Sequence, residues 1–369
     1  MKITRIELDR LRLDLDPPFR AAWDPEPRHH VDATVVKVHT DDGLVGVGSG
    51  DTMDGFGAFE GLFVGTDPTQ IARHVRTIET INFHAGRFWP LEAALWDIVG
   101  QVHGVAVSRL FGNTTTRLPA YMSTGELKTP EERVESALRG RELGFRAMKV
   151  RIARDDLDAG LRAVQGVREA LGADFTLLVD LNQSWRMAGD VAPAMDTKAV
   201  RRIVARLEEL DVFWVEEPLP YDDLAGLVDL RRATGVRVAG GEMLATFADA
   251  LRLLEHDALD VYQMDVVLSL GMSRCRTFAE LALHRNRAFT PHTWTNGIGL
   301  LANLHVAAGV GAGPWFEVPF DPDGWTTERR DFMLAEPVGI DDDGCVVVPD
   351  RPGLGVVLDD EAMDRWRVR

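Results

Sequence analysis

The sequence predicts an α/β fold in which a parallel barrel follows a smaller α+β domain. Two features of the second part of the chain predict the barrel: short apolar runs rich in β-branched residues recur, and helix-like segments separate them. Buried strands that alternate with helices are typical of a parallel βα repeat. In addition, successive runs end at the acidic residues Asp180, Glu216 and Glu242. This order of elements favours a barrel, with a doubly wound sheet as the alternative.

Residues 1–115 show a different pattern. Residues 3–13 alternate like a strand, and residues 33–39 and 44–48 flank an Asp-Gly turn that predicts a β-hairpin. Residues 90–102 then predict an amphipathic helix that ends at Gly104. Strands followed by a helix favour a compact α+β domain.

The second domain is predicted over residues 116–320. Its eight candidate strands are residues 118–123, 147–152, 175–181, 212–216, 236–239, 259–264, 288–291 and 315–318. Helices are predicted between them, for example at residues 131–141, 156–171, 197–210 and 273–284. The turn-rich residues 321–369 are expected to return to the first domain, with a closing strand at 352–357.

Composition excludes several classes of protein. A formal net charge of −17 argues against nucleic acid or an anionic membrane as a partner. Two cysteines are too few for a disulfide scaffold. There is no apolar signal region behind Met1, and no apolar stretch approaches the ~20 residues of a transmembrane helix. We therefore expect a soluble cytoplasmic protein.

Chemically active side chains also lie where other predicted strands end. Lys149 and Arg151 end the second strand and share a face, because strand side chains alternate. Asp265, His292 and Glu317 lie at the sixth, seventh and eighth strands. The carboxyl ends of parallel barrel strands meet at one mouth, where carboxylate oxygens suit Mg²⁺. A His near an Asp is typical of an oriented general base.

At these residues the chain resembles the enolase superfamily, specifically its mandelate racemase-like subgroup, which includes acid sugar dehydratases. The resemblance rests on short motifs in the correct order at strand-like spacing. They are Lys149-Val-Arg151, Val179-Asp180-Leu-Asn182-Gln-Ser-Trp185, Glu216-Glu217-Pro218, Gly240-Gly241-Glu242, Gln263-Met-Asp265, Pro291-His292-Thr-Trp294 and Phe316-Glu317. The resemblance implies a (β/α)7β modified TIM barrel under an N-terminal capping domain, with a C-terminal return to the cap.

The resemblance also implies a metal site. Asp180, Glu216 and Glu242 would ligate one Mg²⁺ per subunit, with Mn²⁺ as a substitute, and Asn182 would support them. From the sequence alone, Glu217 is an alternative ligand to Glu216.

Catalytic roles follow from the same resemblance. His292 paired with Asp265 would act as base or acid, and Glu317 would hydrogen-bond a carboxylate oxygen of the substrate. Lys149 and the metal would stabilise an enediolate. Contacts with the substrate are expected from first-domain loops that close over it and from one barrel residue, namely Arg20, Trp23, His29, His30 and Trp294.

One departure from the family pattern concerns the second strand, where Arg151 replaces the second Lys of Lys-x-Lys. A guanidinium is a poor base and a good clamp for oxygen atoms, although it could also anchor a carboxylate ligand. Two-base racemisation is therefore disfavoured relative to elimination. The leading hypothesis is an acid sugar dehydratase that forms a 2-keto-3-deoxy sugar acid.

Three alternatives stay open. The first is a cycloisomerase of a sugar-acid lactone or anhydro sugar acid, and the second is a racemase or epimerase of a 2-hydroxy acid. The third is a catalytically silent barrel that binds sugar acids, since fold alone does not give function. Each has a small carboxylate as its partner, and the resemblance further implies a homo-oligomer, either a dimer or an octamer.

Overall fold

The structure, a computed structural model, describes residues 1–50 and 53–368. Its first domain, the cap, is a three-stranded antiparallel sheet covered by helices. The strands pair in chain order. The cap contains β1 (Ile3–Phe19), β2 (Arg28–Thr40), β3 (Val45–Gly50), two 3₁₀ turns (Phe56–Ala58 and Glu60–Leu62), α1 (Ile71–Asn82), α2 (Trp89–His103) and α3 (Val107–Leu110).

Close packing of α2 on the sheet depends on two glycines of β3. A Cβ atom at Gly46 would lie 2.1 Å from the Ala94 carbonyl oxygen, and one at Gly48 would lie 2.1 Å from that of Pro90. Only glycine leaves room for such an approach of backbone to backbone. The alternation of valine and glycine in β3 therefore fixes α2 directly against the sheet.

The second domain has the predicted barrel order, with eight parallel strands and seven intervening helices. All eight predicted strands are present. In chain order the elements are β4 (Arg117–Ser123), α4 (Pro130–Glu142), β5 (Ala147–Arg151), α5 (Leu157–Leu171), β6 (Thr176–Asp180), α6 (Thr197–Glu209), β7 (Val212–Glu216), α7 (Leu224–Ala233), β8 (Arg237–Gly240), α8 (Phe247–Glu255), β9 (Val261–Tyr262), α9 (Met272–His284), β10 (Ala288–Phe289), α10 (Gly297–Val310) and β11 (Phe316–Pro319).

Strand register brings charged residues together at one end of the barrel. Arg151 pairs with Asp180, and Asp180 pairs with Glu216, so the last residues of β5, β6 and β7 lie side by side. The strands are buried because their apolar residues form two clusters, one shared with the surrounding helices and a smaller one that includes Tyr121, Leu178 and Trp214. A packed core below and charged residues at the carboxyl ends are the arrangement that TIM barrels use for active sites.

After β11 the chain returns to the cap through α11 (Thr327–Arg330), β12 (Cys345–Val347) and α12 (Asp360–Trp366). Strand β12 pairs antiparallel with β4, and Met363 of α12 is buried against Leu11 of β1. The closing strand predicted at 352–357 is wrong: only an isolated bridge forms there, between Ala106 and Gly353. Gly353 and Gly355 have φ angles of 80° and 70°, which interrupt an extended strand.

The predicted domain boundary at 115/116 falls between α3 and β4. Among the helices of residues 1–50 and 53–368, none is long and apolar enough to cross a membrane.

Leu354 joins the C-terminal segment to both domains. Its backbone N–H donates to Oδ1 of Asp97 in α2 at 2.6 Å, and its carbonyl accepts from Nε2 of His305 in α10 at 3.1 Å. The other ring nitrogen of His305 accepts from the Ser108 N–H at 3.1 Å. His305 is therefore neutral, with its proton on Nε2, and it links the barrel to the cap.

A Gly353→Ala substitution is expected to lower the free energy of unfolding by about 2–4 kcal/mol, because it combines an unfavourable positive φ with overpacking. The φ angle is 80°, and the new Cβ would lie 2.0 Å from Oδ1 of Asp97. Urea denaturation measures the change. Gly339→Ala in the same segment is the control, since nothing lies within 4 Å of a Cβ there. Equal effects of the two substitutions would contradict the packing argument.

The free energy of unfolding should also decrease as the pH is lowered, because His305 is buried in its neutral form. Burial lowers the pKa of His305 from 6.5 to about 4, against a weaker opposing effect of its bond to Leu354. Below pH 6.5, His305 therefore takes up a proton in the unfolded chain but stays neutral in the folded chain until about pH 4. This difference lowers the free energy of unfolding by up to about 3 kcal/mol between pH 6.5 and pH 4. Denaturation of wild type and His305→Gln at several pH values should give a shallower pH slope for the variant, and equal slopes would contradict the assignment.

Candidate active site

Three buried carboxylates form a cluster at the mouth of the barrel. Asp180 ends β6, Glu216 ends β7, and Glu242 follows β8 after Gly241. One oxygen atom from each lies within 4.8 Å of the others. Oε2 of Glu242 has no hydrogen-bond partner among residues 1–50 and 53–368. Burial and the neighbouring Asp180 raise the pKa of Glu242, although His292 opposes the shift. Three closely spaced carboxylate oxygens, with one oxygen atom of Glu242 lacking a hydrogen-bond donor, fit a divalent cation such as Mg²⁺.

Neighbouring side chains fix the orientation of these carboxylates. The Trp185 indole N–H donates to Oε1 of Glu242 at 2.8 Å. The Gln263 amide donates to Oε2 of Glu216 at 2.8 Å, and the Trp214 indole donates to the same atom at 3.2 Å. Such hydrogen bonds hold ligands in position before an ion binds. Trp185 and Gln263 lie within the sequence motifs, but their partners became apparent only in the folded chain.

The carboxylate of Glu217, the alternative ligand, does not belong to the cluster formed by Asp180, Glu216 and Glu242. The Tyr221 hydroxyl donates to Oε1 of Glu217, and Tyr221 itself accepts from the Gly241 N–H at 2.7 Å. Burial, reinforced by the repulsion of Glu242, raises the pKa of Glu217 well above its ordinary value. The cluster that could hold a metal therefore contains Glu216 and not Glu217.

Lys149 is fully buried beneath the mouth. Its Nζ lies 2.5 Å from Oε1 of Glu216, 2.8 Å from Oε1 of Glu317 and 3.6 Å from Oδ2 of Asp180. Burial alone would lower the pKa of Lys149, but the surrounding carboxylates outweigh it and raise the pKa. Lys149 is therefore an ammonium ion that balances the charge of the carboxylates.

Arg151 lies between the acidic cluster and a cavity at the mouth of the barrel. Its Nη1 donates to Oδ2 of Asp180 and, at 2.9 Å, to Oδ1 of Asn182, while Nε donates to the Thr124 carbonyl at 2.9 Å. The guanidinium also lies 4.7 Å from the ring centroid of Trp23. Both hypotheses for Arg151 are compatible with this position, because it anchors a candidate ligand and also faces the cavity.

His292, in the loop after β10, faces the acidic cluster. Its Nδ1 lies 3.0 Å from Oδ2 of Asp265, and its Nε2 lies 3.8 Å from Oε2 of Glu242. Asn303 in turn donates to Oδ1 of Asp265 at 3.1 Å. Burial alone would lower the pKa of His292, but the carboxylates of Glu242 and Asp265 raise it to about 9. Asp265 thus orients the imidazole and leaves Nε2 pointing toward the cluster.

The contact of Asn303 with Asp265 was not predicted from the sequence. Helix α10 is buried along its whole length, so a polar residue inside it is the signal that could have indicated a buried partner.

Glu317 is enclosed below the cavity. Its carboxylate accepts from the Ser123 hydroxyl at 2.7 Å and from the Thr293 N–H at 2.6 Å, besides its ion pair with Lys149. Burial would raise the pKa of Glu317, but Lys149 and His292 outweigh it and lower the pKa to about 2. Glu317 is therefore ionised and accepts hydrogen bonds in this arrangement, and its contact with a substrate carboxylate stays a prediction.

A cavity of about 440 Å³ opens above these residues, between cap and barrel, and both Arg151 and His292 line it. Four packed aromatic rings form part of its wall, namely Phe19, Trp23, Trp294 and Trp325. This volume suits a small-molecule ligand.

Of the five predicted substrate contacts, Trp23 and Trp294 line the cavity. Arg20, His29 and His30 are not among its lining residues; their side chains are exposed, Arg20 after the end of β1 and both histidines on β2. Arg87 also lines the cavity but was not predicted to do so, because it comes from the segment before α2 and reaches the barrel only in the folded protein.

Comparison with known proteins gives consistent results. A family model described as "Enolase C-terminal domain-like" matches residues 132–362. The 3,6-anhydro-alpha-L-galactonate cycloisomerase of Streptomyces coelicolor is 30% identical, covering 98% of this chain and 99% of the relative. The arabinonate dehydratase of Saccharolobus solfataricus is 28% identical, covering 76% and 71%. Among solved structures, a racemase from Streptomyces coelicolor A3(2) with bound magnesium has a TM-score of 0.84 at 28% identity, covering 99% and 100%.

Proposed function

The chain belongs to the enolase superfamily, with an enolase C-terminal domain-like region over residues 132–362, and from this membership we propose that it is a Mg²⁺-dependent acid sugar dehydratase. The reaction would remove the proton α to the carboxylate of a sugar acid, eliminate water and yield a 2-keto-3-deoxy sugar acid. One observation carries the proposal: His292 lines the cavity with its imidazole oriented by Asp265 and its Nε2 directed at the acidic cluster.

In the first step, Nε2 of His292 takes the proton from the α-carbon, and the electron pair of the C–H bond moves onto the substrate carboxylate. Asp265 accepts a hydrogen bond from Nδ1 throughout and stabilises the imidazolium that forms. The product of this step is an enediolate, whose negative charge lies mainly on the two carboxylate oxygens.

In the second step, the electron pair returns to form a C=C bond while the C–O bond to the β-hydroxyl breaks. His292 gives its proton to the leaving hydroxyl, which departs as water. The resulting enol then becomes the 2-keto acid when its β-carbon takes up a proton and its enol hydroxyl releases one. One residue thus acts first as base and then as acid, which needs no second base across the cavity.

Asp180, Glu216 and Glu242 would hold one Mg²⁺, or Mn²⁺ in its place, and that ion would offset the charge that develops on the carboxylate oxygens. Arg151 adds a fixed positive charge at the cavity wall, where it can clamp a substrate oxygen. Lys149 acts from below by neutralising Glu216 and Glu317.

Elimination is favoured over racemisation because racemisation requires a second base on the other face of the substrate. Arg151 is effectively always protonated, and Lys149 is enclosed by three carboxylates. Cycloisomerisation is the second candidate, supported by the 30% identity to a cycloisomerase. It would begin with the same proton removal, but the leaving oxygen would belong to a ring of the substrate.

The proposal is tested by incubating the protein with Mg²⁺ and pooled sugar acids and lactones in D₂O and following the α-proton signals by NMR. Loss of one acid with formation of a deuterated 3-deoxy-2-keto product would support a dehydratase. Ring opening without loss of water would support the cycloisomerase, and α-proton exchange alone would support a racemase or epimerase. The absence of exchange from every compound would favour the silent binding barrel.

A further inference from the structure

The wall of the cavity is rich in arginine although the chain as a whole is acidic. Four of its arginines lie near a carboxylate: Arg28 near Asp24, Arg151 near Asp180, Arg186 near Asp190 and Arg330 near Asp331. The other two, Arg87 and Arg329, form no ion pair with any residue in 1–50 and 53–368.

These two arginines differ in how their donors are used. Arg329 donates from Nη1 and Nη2 to the carbonyls of Asp16, Pro17 and Gly324, so its guanidinium braces the end of β1. Arg87 uses Nη1 alone, at 2.8 Å from the Leu268 carbonyl and 3.5 Å from that of Met243. Within the described part of the chain, its Nε and Nη2 make no hydrogen bond.

The surroundings of Arg87 make an unpaired charge costly. The residue is half-buried, and desolvation lowers its pKa without any opposing carboxylate. A partly desolvated charge without a carboxylate counterion raises the free energy of the folded state. A guanidinium with two free donor positions matches the two oxygens of a carboxylate. A carboxylate ligand that accepts hydrogen bonds from Nε and Nη2 would therefore supply the counterion that Arg87 lacks.

Arg87 lines the same cavity as His292, so a carboxylate bound to Arg87 would belong to a ligand in that cavity. Its two carbonyl partners belong to loops that carry site residues, because Met243 directly follows Glu242 and Leu268 lies three residues after Asp265. Arg87 itself comes from the cap, just before α2. A volume of about 440 Å³ accommodates a ligand that reaches from the acidic cluster to the cap.

We propose that Arg87 binds a second carboxylate of the substrate, so that the substrate is a dicarboxylic sugar acid. This inference rests on the proposed function, in which the first carboxylate lies at the acidic cluster. The proposal assigns Arg87 to substrate selection and leaves the proton transfer to His292.

The experiment compares aldonic acids with the aldaric acids of the same configuration, using wild type and Arg87→Gln with saturating Mg²⁺. Wild type should prefer a diacid. The substitution should lower kcat/KM for that diacid about 10- to 100-fold and change the value for the monoacid less than about threefold, because a hydrogen-bonded charge pair is lost only with the diacid. Quenching of tryptophan fluorescence, from Trp23 and Trp294 in the wall, measures the Kd of both acids independently of turnover.

Arg28→Gln is the matched control, since Arg28 lines the same cavity but is already paired with Asp24. It should affect monoacid and diacid alike. Wild-type preference for a monoacid or a phosphorylated acid, or an equal effect of Arg87→Gln on both series, would overturn the inference and leave the dehydratase proposal intact. Absence of α-proton exchange from every acid would instead overturn the proposed function, and the fluorescence titration would still decide whether Arg87 binds the second carboxylate.

Discussion

A His292→Asn variant is expected to lose at least about 10³-fold in kcat, because proton transfer by a positioned side chain contributes roughly 10²–10⁴-fold and one residue serves both steps of the proposed mechanism. Asn preserves a polar side chain of similar size but takes up no proton. Because His292 is not one of the three carboxylates proposed as ligands, Mg²⁺ affinity should change less than about tenfold. Turnover and isothermal titration with Mg²⁺ measure the two quantities.

The exposed His284, at the end of α9, provides the control for removal of a histidine, and His284→Asn should retain wild-type activity. Exchange of the α-proton in D₂O separates the two roles of His292. If the variant still exchanges this proton but releases no water, His292 is the acid alone. Normal turnover by the variant would remove His292 from the mechanism.

A Glu242→Gln variant is expected to bind Mg²⁺ at least about 100-fold more weakly, since even residues that only orient ligands contribute 10–100-fold to metal affinity. The substitution removes a negative charge from a cluster of three and retains the shape of the side chain. Isothermal titration gives the affinity. Thermal denaturation gives a second measure, because an ion that binds only the folded protein raises Tm.

Glu217→Gln is the informative control for this experiment. Glu217 is as deeply buried as Glu242, but its carboxyl group bonds to Tyr221. Because burial raises the pKa of Glu217, Gln resembles the protonated form that this environment favours. Its substitution should weaken Mg²⁺ binding less than about tenfold. A larger loss with Glu217→Gln than with Glu242→Gln would overturn the assignment of the ligands.

The barrel, and the placement of most candidate site residues at its mouth, could be predicted because they obey local rules. Each strand is a short apolar run, and the side chain at its carboxyl end must face the mouth once the strands are parallel. Asp180 and Glu216 follow this rule directly, and register places them side by side. The shared face of Lys149 and Arg151 followed from alternation alone, and both contact Asp180.

The remaining features depend on contacts between residues that are distant in sequence. Alternation does not show that Lys149 is enclosed while Arg151 faces the cavity, because that difference depends on depth along the barrel axis. Arg87 reaches loops more than 150 residues later in the chain. The bonds of Leu354 to Asp97 and His305 similarly join three separate segments. No local pattern carries information on such pairs.

The packing of α12 on β1 has a consequence for the order in which the protein is made. Arg367 forms an ion pair with Asp9, and Met363 completes an apolar cluster with Leu11 and Val35. At roughly 5–20 residues per second, a ribosome synthesises β1 tens of seconds before it synthesises α12. The barrel strands leave the exit tunnel in the meantime. The cap, although translated before the barrel, is therefore completed after it, and the nascent cap exposes part of its core until α12 has been synthesised.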